Sequence, residues 1–173
     1  MPDVPAPARG TSASGHRRAV SPHVLRTDGG SRGNPGPAAA AFVLEAPDGT
    51  ILLRAGRFIG EATNNVAEYE ALIMGLGAAL ALGVSSIEVL ADSELLVRQV
   101  TGTYRVKHPN MRPLHARVTR LLAGFESWRI GHVRREQNVA ADSLVNEALD
   151  THSTVGDEVP DGTSAPGTQA SLF

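Results

Sequence analysis

Two apolar runs joined by a short polar turn constrain the fold of this chain most. The runs read AAAAFVLEA and ILLRAGRFI, and the turn between them is PDGT. Asp-Gly between two apolar runs of strand length is a strong signal for a β-hairpin. Another apolar stretch, HVLRTD, precedes the hairpin. The sequence therefore predicts three successive antiparallel strands.

Helices and strands alternate in the rest of the pattern. Residues Asn65 to about Leu82 carry apolar side chains at helical spacing, and Gly83 follows where a helix would be capped. The strand SIEVLAD, the helix SELLVRQVTG, a helix near 111–123, the strand SWRIGHVRR and the helix NVAADSLVNEALD complete the series. The order βββαβααβα predicts an α/β fold in which helices pack on a mixed sheet.

Length and composition indicate one domain. The chain has 173 residues, a common length for a single core. Residues 1–21 and 151–173 are rich in Pro, Gly, Ala, Ser and Thr, which predicts disordered tails around a core of residues 22–150. No apolar run is long enough to span a bilayer. We therefore expect a cytoplasmic protein with no membrane partner.

Basic residues concentrate in one part of the chain. The net charge is −2, yet nine Lys or Arg lie between Arg98 and Arg135 with a single acid, Glu126. Solvated helix faces account for many such runs. A local excess of this size also suits a polyanionic partner such as nucleic acid.

Four acids occupy comparable positions. Asp28 and Asp92 each close a predicted strand, whereas Glu68 and Asp142 stand near helix starts. Each has a structural explanation. Asp28 could form a turn, and Glu68 could complete a capping box with Asn65. Asp92 could cap a helix, and Asp142 could favour a helix dipole.

Those explanations do not account for all four acids falling at one edge of the sheet, where open α/β sheets bind ligands. Clustered carboxylates repel one another unless a divalent cation neutralises them. The chain has no cysteine, so oxygen ligands favour Mg²⁺ or Mn²⁺. Several acids at one edge suit a two-metal site that acts on a phosphodiester.

Four ordered motifs resemble the type 1 ribonuclease H family over residues 22–150. They are TDGGSRGNPGPAA, ATNNVAEYEAL, LADSELLVRQVTG and HVRREQNVAADSLVNEAL. VKHP and REQN are similar to its compact bacterial and archaeal branch, and GTYRVKHPNMRP is too short for the basic handle of other members. The resemblance implies a ribonuclease H-like fold with a five-stranded mixed sheet, three antiparallel strands then two parallel, flanked by helices.

The resemblance also implies an endoribonuclease. Such an enzyme hydrolyses the RNA strand of RNA-DNA hybrids with two Mg²⁺ ions, for which Mn²⁺ could substitute, and leaves 5′-phosphate and 3′-hydroxyl ends. Asp28, Glu68, Asp92 and Asp142 take the four metal-ligand places, and Asp28 would bridge both ions. Double-stranded RNA is a further possible substrate, and we expect a monomer.

Substrate contacts follow from the same resemblance. In the family, the glycine-rich segment and the TNN segment contact the minor groove of the hybrid. Glycines let a backbone approach nucleic acid closely, although helix capping would also explain one Asn. Without the handle, surface cations would position the phosphates. The substrate candidates are Gly29, Gly30, Ser31, Asn34, Thr63, Asn64, Asn65, Arg105 and Lys107.

Two residues compete for a role beside the reacting phosphate. Many members carry a mobile histidine before the last helix, and His132 stands at a similar distance from Asp142. His132 lies in a predicted strand, however, where histidines are more often structural. In the compact branch an arginine takes this place, which makes Arg135 the better candidate.

Other functions predict different residues. A proofreading exonuclease of similar fold would pair two acids in its first strand, whereas Asp28 precedes Gly29 and Gly30. A non-catalytic module that binds RNA-DNA hybrid or double-stranded RNA would be expected to lack one of the four acids, and all four are present. The tails could also tether the enzyme to a protein partner.

Overall fold

The computed structural model of the chain describes residues 21–160, which contain six strands and four helices. The strands are β1 (His23–Ser31), β2 (Gly36–Glu45), β3 (Ile51–Ala62), β4 (Ser86–Ala91), β5 (Ser127–His132) and β6 (Thr154–Gly156). The helices are α1 (Asn64–Ala81), α2 (Glu94–Val100), α3 (Arg112–Leu122) and α4 (Val139–Thr151), and a 3₁₀ turn, Arg135–Gln137, precedes α4. The predicted order is confirmed, with one further strand at its end.

The sheet is mixed, as predicted. Its strand order is β5-β4-β1-β2-β3-β6. Strands β1, β2 and β3 pair antiparallel, whereas β1, β4 and β5 run parallel. The predicted hairpin turn closes with a hydrogen bond from the Ala46 amide to the Thr50 carbonyl at 2.8 Å. The parallel half places the ends of β1 and β4 side by side.

Both faces of the sheet are covered. Side chains of β2 alternate between the two faces, because successive residues in a strand point in opposite directions. Ala40, Phe42 and Leu44 pack in the larger core cluster with α1, whereas Ala41 and Val43 pack against α4. Helices α1 and α4 therefore approach β1 from opposite sides. No helix within residues 21–160 is long and apolar enough to cross a membrane.

The sixth strand corrects the predicted count of five. Strand β6 pairs antiparallel with β3 along Ala55–Arg57. Beyond it, the Asp157 carboxylate accepts from the Arg54 amide at 3.0 Å. These residues lie in the segment 151–173 for which the sequence predicted disorder, so the ordered part extends past residue 150. Three residues carry too little pattern to predict a strand that the edge of β3 stabilises. Residues 1–20 and 161–173, the rest of the predicted tails, lie outside the described residues.

The end of β6 depends on a glycine. Gly156 has a φ of 85°, and a Cβ there would lie 2.4 Å from the Arg54 carbonyl oxygen. We expect Gly156→Ala to lower the free energy of unfolding by about 1–3 kcal/mol, because both the backbone angle and the contact become strained. Urea denaturation measures this change, with Thr154→Ala in the same strand as the control. Equal unfolding midpoints for the two variants would contradict this role.

Candidate active site

Asp28 and Asp92 lie at the same edge of the sheet. Thr27 of β1 is aligned with Ala91 of the parallel strand β4. Asp28 directly follows Thr27, and Asp92 directly follows Ala91. Asp28 is still within β1 and is aligned with Ala41 of β2. The turn-forming explanation of Asp28 is therefore wrong.

The capping explanations of Glu68 and Asp92 are also wrong. Thr63 caps α1, and its hydroxyl accepts from the Val66 amide at 3.2 Å. Ser93 caps α2 in the same manner. Glu68 and Asp92 therefore do not cap these helices, because the Thr63 hydroxyl caps α1 and the Ser93 hydroxyl caps α2. Asp142 does lie in the first turn of α4, where an acid is favourable.

Gly29 controls how closely α1 approaches β1. A Cβ at Gly29 would lie 2.3 Å from the backbone carbon of Ala67 and 2.4 Å from the Glu68 nitrogen. The missing side chain therefore makes room for the first turns of α1, which carry Glu68. Gly29 and Gly30 both belong to β1, and the expected contact of Gly29 with nucleic acid stays a prediction.

All four acids line one cavity of about 410 Å³. Asp28 comes from β1, Glu68 from α1, Asp92 from the end of β4 and Asp142 from α4. The structure therefore brings together the four acids that the sequence selected.

Burial and mutual repulsion change the acidity of two of these carboxyls. Asp28 is 6% exposed, and burial followed by the charges of Asp92 and Asp142 raises its pKa to about 8. Burial also raises the pKa of Glu68 to about 7, against a hydrogen bond from Ser93 that lowers it. Groups with such shifts concentrate at functional sites. Asp28 is thus close enough to both other aspartates for their charges to act on it.

The donor set fits a hard divalent cation. Carboxylate oxygens are the ligands that Mg²⁺ and Mn²⁺ prefer, and a cation would relieve the repulsion that raises the pKa of Asp28. Within residues 21–160, no three acidic or histidine side chains are already arranged as a closed set of metal ligands.

Asn64 connects the turn after β1 to Glu68. Its Oδ1 accepts from the Ser31 amide at 3.2 Å, and its Nδ2 donates to a Glu68 carboxylate oxygen at 3.4 Å. The Asn64 amide donates to Asn34 Oδ1 at 3.1 Å. Thr63, Asn64 and Asn34 therefore have internal partners. Asn65 is exposed and its side chain has no hydrogen bond within the described part of the chain.

The two residues proposed to act near phosphate differ in position. His132 is the last residue of β5, and its Nε2 lies 3.2 Å from the Asp92 carbonyl oxygen. Arg135 lines the carboxylate cavity, with Nη2 3.9 Å from Asp142 Oδ1 and a side chain that is 78% exposed. Arg105 and Lys107 lie on the connection between α2 and α3 and do not line this cavity.

Sequence reasoning missed two asparagines. Asn138 is 1% exposed, and its Nδ2 donates to the Thr27 carbonyl at 2.8 Å. Asn146 lines the cavity, and its Nδ2 lies 3.4 Å from Asp142 Oδ2. Asn138 directly precedes α4, yet its side chain makes no capping hydrogen bond. Asn146 could have been predicted from the sequence, because it is four residues after Asp142 and residues four apart on a helix are neighbours.

Comparison with known proteins places the chain in a family. Residues 26–148 match the family model described as reverse transcriptase-like. The chain is 50% identical over 123 residues to ribonuclease HI of Halobacterium salinarum, a match that covers 71% of this chain and 62% of that protein. The chain belongs to the type 1 ribonuclease H family. This confirms the resemblance, and the family in general depends on metal.

Solved structures of this family share the fold. The crystal structure of RNase H1 from Halobacterium salinarum has a TM-score of 0.73 at 48% identity, over 75% of this chain and 98% of that one. LC11-RNase H1 in complex with an RNA/DNA hybrid has a TM-score of 0.72 at 41% identity, with the same coverage. The chain spans 62% of the length of the Halobacterium relative and 35% of three mycobacterial relatives.

Proposed function

We propose that this protein is an endoribonuclease that hydrolyses the RNA strand of RNA-DNA hybrids and leaves 5′-phosphate and 3′-hydroxyl ends. The observation that carries the proposal is the cavity lined by four carboxylates from four different elements. A related enzyme, LC11-RNase H1, is known in complex with an RNA/DNA hybrid. All four acids come from one chain, which supports a monomer as the active form.

Asp28, Glu68, Asp92 and Asp142 would hold two Mg²⁺ ions, for which Mn²⁺ could substitute. When bound, such ions activate the attacking water and stabilise the leaving oxygen. The charges of Asp92 and Asp142 both act on Asp28, which supports a role for Asp28 as the ligand shared by both ions. Glu68 and Asp142 approach from opposite faces of the sheet because α1 and α4 do.

The groups around the carboxylates would select RNA. A protein distinguishes RNA from DNA by contacts to the 2′-hydroxyl, and short polar groups can supply them. Gly30, Ser31 and Asn65 are our candidates, since the side chain of Asn65 has no internal partner and the other two line the cavity. Arg105 and Lys107 would hold phosphates farther away, so binding should weaken as salt rises.

Arg135 is expected to matter more than His132 for the rate. Arg135→Ala should lower the rate of hybrid cleavage by about 10- to 100-fold, because a cation at the cavity mouth stabilises charge on the reacting phosphate. His132→Ala should lower it less than about threefold, since His132 lies at a strand end with a backbone partner. Single-turnover rates of the two variants measure the difference. A larger loss in His132→Ala would reverse the assignment.

A comparison of substrates tests the proposed function. The purified protein is incubated with end-labelled RNA-DNA hybrid, double-stranded RNA and double-stranded DNA of one sequence, each with Mg²⁺, Mn²⁺ or chelator. We expect metal-dependent cutting of the RNA strand of the hybrid and none of the DNA duplex. Cutting of double-stranded RNA would widen the substrate class. Binding of hybrid without cutting in any metal would favour the non-catalytic module.

A further inference from the structure

Three polar or charged residues are buried among residues 21–160, and they are neighbours. They are Thr27, Asp28 and Asn138. A buried amide side chain is unfavourable unless hydrogen bonds replace its contacts with water. The Asn138 Nδ2 donates to the Thr27 carbonyl at 2.8 Å, across 111 positions in sequence. The contact therefore joins the chain just before the last helix to the residue immediately before Asp28.

The backbone of Asn138 joins two further elements. Its amide donates to the Arg135 carbonyl at 3.0 Å, and its carbonyl accepts from the Asp142 amide at 3.1 Å. Asn138 thus ends the 3₁₀ turn and begins α4 while its side chain binds β1. Asn138 therefore links β1, which carries Asp28, directly to the first turn of α4, which carries Asp142.

The orientation of the Asn138 amide is fixed by its partner. The Thr27 carbonyl can only accept, so it requires the nitrogen of the amide group. Oδ1 then points away from Thr27, and it is buried without a hydrogen-bond partner among residues 21–160. Such an atom is unfavourable for stability, and a small apolar residue would avoid the penalty. Asn138 is therefore poorly explained as a residue that serves stability alone.

We propose that Asn138 is a positioning residue that holds Asp142 at the separation from Asp28 at which both bind the same metal ions. The inference rests on the proposed function. Residues that orient metal ligands without touching the metal commonly change affinity by about 10- to 100-fold when they are replaced. Asn138 acts from the backbone side of both aspartates, through Thr27 and through the first turn of α4.

Arg26 offers a matched control. Its Nη1 donates to the Gln137 carbonyl at 3.1 Å, so it also ties the 3₁₀ turn to β1. This hydrogen bond is exposed, and its acceptor, Gln137, directly precedes Asn138. Arg26 does not line the carboxylate cavity. Arg26→Ala loosens the same junction without releasing the side-chain bond to Thr27. Any effect that general loosening produces should appear in both variants.

The test measures Mn²⁺ binding by calorimetry without nucleic acid, well below the melting temperature of each variant. We expect Asn138→Ala to weaken Mn²⁺ binding about 10- to 100-fold and to raise the Mg²⁺ concentration needed for half-maximal cleavage in proportion. The KM for hybrid at saturating Mg²⁺ should stay within about twofold, since Asn138 is buried away from the substrate. Arg26→Ala should bind Mn²⁺ like the wild type.

If Asn138→Ala does not fold, Asn138→Ser replaces it in the test, because serine shortens the side chain but keeps a hydrogen-bond donor. Asn138→Ser should also weaken Mn²⁺ binding. Wild-type affinity in a folded Asn138 variant, with only a lower melting temperature, would overturn the proposal and leave a structural role. Equal losses in the Asn138 and Arg26 variants would overturn it too. If the wild-type protein itself fails to bind Mn²⁺, the proposed function falls together with this inference.

Discussion

Asp28→Asn is expected to abolish cleavage of the RNA strand and, at the same time, to raise the melting temperature of the metal-free protein at pH 8. The rate should fall at least about 10³-fold, because ligated metals contribute several kcal/mol to the transition state and each 1.4 kcal/mol is a factor of ten. Stability should rise because a neutral amide replaces a buried carboxylate that Asp92 and Asp142 repel.

The sign of the stability change follows from proton binding. Asp28 has a pKa of about 8 in the folded chain against 3.8 for an ordinary carboxyl, and Glu68 about 7 against 4.5. Between those values the folded state binds more protons than the unfolded state. The free energy of unfolding therefore falls as pH rises from about 4 to about 8 and stays level above that. Asp28→Asn should remove most of this slope.

Thermal unfolding in chelator at about pH 5.5 and about pH 8.5 measures that slope. Asp48→Asn is a suitable control, because Asp48 is an exposed turn residue whose pKa a hydrogen bond from the Thr50 amide lowers. The control should retain both the slope and the cleavage activity. A melting temperature for Asp28→Asn below that of the wild type at pH 8.5 would contradict the repulsion among the aspartates.

Gly29→Ala is expected to destabilise the protein strongly although it adds only one methyl group. Its Cβ would lie within 2.4 Å of three backbone atoms of Ala67 and Glu68. Backbone atoms cannot move aside as a side chain can, so α1 must shift from β1. Overpacking of a core costs about 1–3 kcal/mol and sometimes more, and we expect at least about 3 kcal/mol here. The shift also displaces Glu68, so cleavage should fall in the fraction that folds.

Gly30→Ala is the matched control for that prediction. Its Cβ would meet Val145 Cγ1 at 3.6 Å and Asn64 Oδ1 at 3.9 Å, which are ordinary contacts. Urea denaturation of the two variants should therefore give a large loss for Gly29→Ala and less than about 1 kcal/mol for Gly30→Ala. Similar unfolding midpoints would show that α1 does not depend on the absence of a side chain at Gly29.

Local patterns were sufficient to predict most of the fold. The Asp-Gly turn predicted the hairpin, and helical spacing predicted α1 up to the Gly83 that follows it. Strand β6 was missed because it has three residues and owes its existence to the edge of β3. The caps of α1 and α2 were misplaced by one or two residues, since Thr63 and Ser93 stand beside other polar residues that could also cap.

The site was predicted in part for a related reason. The four acids could be selected because the sequence pattern predicts each of them at a strand end or near a helix start, where elements converge. The supporting contacts could not, because they join distant positions: Asn138 binds Thr27, and Asn64 binds Ser31. Gly29 is a further case, since its role depends on the helix that packs against it. No local sequence pattern marks such residues.

The single-turnover rate of RNA-strand cleavage, with enzyme in excess over hybrid, tests the central claim most directly when Asp92→Asn is compared with the wild type. Excess enzyme keeps the hybrid bound, so the rate reports chemistry at the carboxylate cavity. We expect metal-dependent cleavage by the wild type and a rate at least about 10³-fold lower for Asp92→Asn. Equal rates for the two proteins would show that the four carboxylates are not the catalytic centre.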